Sequence, residues 1–294
     1  MPSSTTGEHA GAVAAPTTRD RRRRIAFTVV VVVFILMHIV LSPLPYAVLG
    51  WFLETGAISH RVHEICFGLL FVVTAGGLIA QLRRPEHKIA AVYQVVLPLY
   101  LIILSTLILD RLFDPIVFAF LAMPIVMIVL HPARGHILRP ETSPNSLLLG
   151  MIAVAAVPLL VFAVGQIREG VEASKIAPQV FEDLPEDATD RQIEDALASA
   201  ARSAAELEAA QHYGHWSAMG AFAVAIVGLG VVAGLGISGW RLPAWATATA
   251  LVIFGAASLT SAGDASALST MWAALAIAFG LAFASAAEYV RRTS

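Results

Sequence analysis

Blocks of about 20 apolar residues follow one another along almost the whole chain, and arginines and lysines gather in every second gap between them. A helix rises 1.5 Å per residue, so such a block has the length that crosses the roughly 30 Å hydrocarbon layer of a bilayer. Lipid offers no hydrogen bonds and a helix satisfies its own backbone, so the pattern predicts an all-α, polytopic transmembrane helical bundle. Composition agrees: 57% of the residues are hydrophobic and 14% charged, against roughly 45–50% and 25% in soluble domains, an apolar excess that no water-soluble core absorbs. The lipid bilayer is the expected partner, and nothing points to nucleic acid.

Eight spans are expected, at about 25–42, 64–81, 89–109, 115–130, 147–166, 216–237, 243–261 and 270–288. Residues 1–24 precede them as a disordered basic tail, in which Ser, Thr, Ala, Gly and Pro give way to Arg19, Arg21, Arg22, Arg23 and Arg24. No small-residue cleavage site follows the run Ile25–Leu41, so it reads as a retained span rather than a secretory signal. Pro43 and Pro45 end it, and Tyr46 to Leu53 read as an interfacial segment anchored by Trp51. Residues 25–294 form one integral domain. Pro98, Pro124 and Pro158 fall inside spans, where neighbouring helices can satisfy the freed carbonyls.

The gaps after even-numbered spans hold Arg83, Arg84 and Lys88, then Arg134 and Arg139, then Arg241, and finally Arg291 and Arg292. Positive loops stay cytoplasmic, so both termini are expected inside, in the plasma membrane of a prokaryotic cell. The opposite face collects most of the acids, chiefly in a long loop at 167–214. There Thr189 with Gln192 resembles a capping box, and Ile193, Leu197, Ala200, Ala204, Leu207 and Gln211 recur at helical spacing. This predicts an amphipathic outer helix, either a lid, a cation-attracting surface or simply a solvated acidic loop. Cys66, the single cysteine, lies inside an apolar block and reads as a small buried hydrophobe. Gly and Ala enrich the last three spans, which suits close helix packing and helix-mediated homo- or hetero-oligomers.

Histidine placement is the feature that approaches a site. His60 and His63 open span two, and His212 and His215 open span six, both at the outer boundary. Residues three apart share a helix face, and the positive end of a helix dipole keeps an imidazole neutral, the state a metal needs. Imidazole-rich sites suit Zn, Cu, Ni or Fe, and a haem would take one axial histidine from each helix, His63 and His215. Glu64 adjoins the first pair, with Glu54, Asp110 and Asp114 as further carboxylates on that face. His38 falls within the outer half of the membrane, where an ionisable residue is a functional hypothesis by default. His87, His131 and His136 read as loop and helix-end residues on the cytoplasmic rim.

Shifting the chain by 152 positions lays His60, His63, Gly68 and Gly76 on His212, His215, Gly220 and Gly228. Each is in the second span of a four-span half, which fits a 4+4 parallel duplication. The stretches His63-Glu64-Ile65-Cys66-Phe67-Gly68, Gln81-Leu82-Arg83-Arg84-Pro85 and His212-Tyr213-Gly214-His215 resemble those of an uncharacterised family of prokaryotic polytopic membrane proteins. That resemblance covers spans two to eight and implies no activity. The chain also resembles haem A synthase in its eight spans, its 4+4 halves and the pair His60-Arg61 opening span two. That family carries further histidines in spans four and eight; here span eight has none and span four only His131 at its end, so the activity is not carried over.

Three functional classes stay open: a metal- or haem-binding membrane protein using the outer histidines, a small-solute transporter, and a non-catalytic membrane component. No Walker motif, GxSxG elbow, HExxH or CxxC occurs, which leaves nucleotide hydrolysis, serine hydrolase and zinc peptidase chemistry without support.

Overall fold

The computed structural model describes residues 18–42, 44–52, 61–108, 115–182, 213–264 and 266–293, with isolated positions between 185 and 199. At 19, 106–108, 115–117, 119, 173–182 and 213–215 it describes the backbone alone. These residues form ten α-helices and no strand: α1 (Thr18–Leu41), α2 (Tyr46–Leu49), α3 (Arg61–Gln81), α4 (Ile89–Ile108), α5 (Pro115–Leu130), α6 (Arg134–Leu138), α7 (Ser146–Glu182), α8 (Tyr213–Gly234), α9 (Arg241–Thr260) and α10 (Thr270–Thr293). Six of them, α1, α3, α7, α8, α9 and α10, are long and apolar enough to cross a membrane. Two shorter apolar helical stretches lie at Ile89–Ser105 in α4 and Phe120–Leu130 in α5. The protein is thus a multi-pass helical membrane protein.

The helices sort into an inner and an outer set. In α3, α8 and α9, 67%, 78% and 56% of the apolar stretch is buried, against 17%, 28% and 22% in α1, α7 and α10. The outer helices turn rows of Val, Leu and Ile outward, as a lipid-facing surface must. Packing follows a regular scheme: α3 lies on α4 and α8 on α9, α1 on α3 and α7 on α8, α4 on α5 and α9 on α10, α1 on α5 and α7 on α10. The inner helices also cross-pack, α3 and α4 each meeting both α8 and α9.

Two glycines make close approaches possible. A Cβ on Gly68 of α3 would run into the backbone of Tyr46 and Ala47, so α2 lies directly on α3. On Gly220 of α8 a Cβ would stand 2.6 Å from Ile167 and 3.1 Å from the carbonyl oxygen of Ala163, both on α7.

Two expected boundaries differ. Residues 18–24, read as the end of a disordered tail, are the opening turns of α1, because their arginines find partners described below. The span expected at 147–166 is part of a 37-residue helix running to Glu182, about 56 Å long and well beyond the bilayer core. Helix geometry persists into the polar segment, helped by an i,i+4 ion pair of Arg168 with Glu172 at 3.1 Å. Further on, the capping box is present: Thr189 N–H donates to Gln192 Oε1 at 2.9 Å, and Gln192 N–H to Thr189 Oγ1 at 3.4 Å. The apolar positions expected on the helix it opens, Ile193 to Gln211, lie outside the described residues.

Candidate functional site

The arginine-rich ends of the helices meet at one end of the bundle, and their polar groups are paired. Arg23 donates to the carbonyls of Val129, Leu130 and His131 at 3.0, 3.3 and 2.9 Å, closing the C-terminal end of α5. Arg24 grips Glu86 at 3.0 Å. His131, just past α5, is fully buried rather than on the rim. Its Nδ1 accepts from Ala133 N–H at 3.0 Å, which leaves the proton on Nε2, 3.0 Å from Gln81 Oε1. Gln81 in turn donates to the carbonyl of Lys88 at 2.9 Å. Burial pushes His131 down to about 4, Glu86 opposing the shift and Arg23 adding to it.

Loops from both parts of the chain interlock here. Ala90 N–H bonds the carbonyl of Ser238 at 2.9 Å, and Ser238 Oγ donates to the carbonyl of His87 at 2.7 Å. Gly239, at φ 83°, packs on the backbone of His87 and Lys88. A polar cavity of about 320 Å³ lies beside this junction, with Glu86, His87, His136, Glu141 and Ser238 in its wall. His136 Nδ1 is 3.8 Å from Glu141 there.

The opposite end holds the histidines singled out from sequence. His63 is the third residue of α3, 3% exposed, its ring stacked on Phe67 with centroids 5.5 Å apart. Glu64 beside it is half-buried. His215 is the third residue of α8 and is described by its backbone alone. His60 and His212, with Glu54, Asp110 and Asp114, lie outside the described residues. Among the described residues no three His, Cys, Asp or Glu side chains come together in a metal-holding group.

One residue there was not legible as part of the site. Asp264, from the turn between α9 and α10, accepts the Val62 N–H at 3.3 Å and so sets a carboxylate on the positive end of α3, next to His63. Nothing in the local sequence marks it, since its partner lies 202 residues away.

Below His63 an aromatic seam descends into the membrane. Phe67 meets Phe71 at 5.2 Å, and His38 of α1 sits 5.5 Å from both Phe71 and Phe120. His38 is 0% exposed, and neither ring nitrogen has a hydrogen-bond partner. A membrane histidine ordinarily bonds a neighbouring helix; this one is held by ring packing alone. Cys66 is buried and free, as a small hydrophobe would be. Gln166 of α7 is likewise buried, with an unpartnered Oε1. On the far side an apolar groove of about 850 Å³ opens between α7, α9 and α10, with Val157, Phe162, Trp272 and Phe279 in its walls.

No protein-family profile, curated protein or solved structure matches the chain. Any functional reading therefore rests on the residues themselves. His63 is thus an imidazole buried in the first described turn of α3, near the Asp264 carboxylate and above an aromatic wall.

Proposed function

We propose that this chain is an eight-span membrane protein made of two parallel four-helix halves, with both termini in the cytoplasm. On this reading it binds a transition metal or haem at its outer face through His63 and His215. The observation that carries the reading is the contact between α3 and α8, the inner helices whose first described turns carry His63 and His215, two histidines 152 positions apart.

Several facts support the duplication. α4 and α9 begin at residues 89 and 241, 152 apart. This is the offset that superposes the two histidine–glycine motifs. Every helix contact in α1, α3, α4 and α5 has its counterpart in α7, α8, α9 and α10. Gly68 and Gly220 receive the chain that precedes their helix. Gly239 packs on His87, the residue 152 positions before it, and self-contact between equivalents is what a two-fold axis produces.

The outer helices follow a different offset. Buried Phe27, Val31 and His38 of α1 match buried Ala155, Leu159 and Gln166 of α7, each 128 positions later. The acidic loop is then an insertion of 24 residues between the first and second spans of the second half. α4 and α5 supply spans three and four; α5 has 16 residues, a short span that bilayer thinning accommodates.

His63 and His215 would hold the group, with His60, His212 and Glu64 as added ligands and Asp264 orienting the start of α3. Bound there, a metal or haem would supply Lewis-acid or redox chemistry. The buried polar residues of the described spans are uncharged side chains and the histidines His38 and His63, with no buried carboxylate, lysine or arginine among them, which argues against ion-coupled transport. A non-catalytic membrane component, associating through exposed helix faces, is the second reading, and the open groove beside α7 and α10 favours it.

Metal analysis and the visible spectrum of the purified protein test the proposal. Near-stoichiometric metal or a Soret band, lost in both His63→Ala and His215→Ala with the fold retained, is the expected result. A protein free of metal and haem that co-purifies with a stable partner selects the second reading.

A further inference from the structure

We infer that the corner formed by the first turns of α1 and the α5–α6 turn binds the headgroup of an anionic phospholipid. Arg23 pins the two elements together through its three hydrogen bonds to the end of α5. On α1, Arg21 and Arg22 flank it; Arg134 follows three residues after the His131 carbonyl that Arg23 holds, and Arg139 ends α6. These four arginines are exposed and make no ion pair among the described residues. The nearby acids do not cancel them. Glu86 is engaged by Arg24, Glu141 faces His136, and Asp20 is one charge against four.

The surface on the membrane side of this corner is apolar and open. Ile25 and Val29 of α1 and Val129 of α5 are 56%, 56% and 55% exposed. Guanidinium groups above an aliphatic face match a phosphate headgroup above acyl chains. Arginine adds a planar, multidentate grip on phosphate oxygens. A free phosphate shares the headgroup's charge but has nothing to lay on Ile25, Val29 and Val129, so the surface fits the lipid. The inference is independent of the histidine site.

The test is native mass spectrometry of the full chain released from nanodiscs of phosphatidylcholine doped with phosphatidylglycerol. Wild-type protein should retain phosphatidylglycerol selectively, and retention should collapse as salt is raised from about 0.05 to 0.5 M through screening. Arg22→Gln with Arg134→Gln should bind about 25-fold more weakly, about 5-fold per arginine. Arg292→Gln, exposed on α10 outside the corner, should bind as wild type does. Equal retention of phosphatidylcholine, salt-independent retention, or an unweakened double variant would overturn the inference. So would inorganic phosphate that displaces the lipid or reproduces its thermal stabilisation. The wild-type salt series decides the matter if the double variant does not fold.

Discussion

The two ends of the bundle hold their buried histidines in opposite ways. At the arginine-rich end, Arg23, His131, Gln81 and the Lys88 carbonyl link α1, α5 and α3 to the start of α4, and Ser238 ties the α8–α9 turn to His87. At the histidine end, His38 is buried with both nitrogens unpartnered, and Gln166 with an unpartnered oxygen. A buried polar group left unpaired costs about 1–3 kcal/mol, so a protein keeps one chiefly where it has a use. The paired end ties helices together, whereas His38 at the other end is held by ring packing.

The largest effect that tests this contrast is Gln81→Leu. It strands the His131 Nε2–H and leaves the Lys88 carbonyl with the Ala91 N–H alone, and should cost about 2–3 kcal/mol, read as a lower melting temperature in detergent. An unchanged melting temperature would mean that the network does not hold the helices.

Next in size is a pH dependence carried by His131. Its pKa falls from the model-peptide 6.5 to about 4 on folding, so between those values the unfolded chain binds more protons and stability rises with pH. The stabilisation is complete above about 6.5 and is lost as pH falls towards 4. Melting curves from pH 7 to 5 should show the decline, and His131→Phe should flatten it while lowering stability at pH 7. Parallel curves would assign the slope to other groups.

The smallest stability effect sharpens the comparison from the other side. His38→Phe replaces an unpartnered imidazole, already packed on Phe71 and Phe120, with a ring that needs no partner. It should leave stability within about 1 kcal/mol of wild type, or raise it. A large loss would show that the imidazole is structural.

Six of the expected spans and the clustering of arginines at one end were legible in the sequence because each depends on local composition. The overrun of α7 was hidden, since apolar length marks where a helix leaves lipid and not where it ends. His131 read as a rim residue because its partners, Gln81 and Arg23, lie 50 and 108 residues away. The burial of both His38 and Gln166 escaped because the two share polarity but no residue type. Asp264 was invisible for the same reason as His131: its role exists only once α9 and α10 return to α3.

The central claim is that α3 and α8 bring His63 and His215 to one site at the outer end. Cysteines placed at these two positions, in a Cys66→Ser background, test it directly with a short bifunctional thiol reagent. The account predicts efficient intramolecular bridging in membranes, suppressed in the histidine-containing parent background only by the absence of thiols. Two cysteines that each react singly and never bridge would place the histidines apart and contradict the shared site.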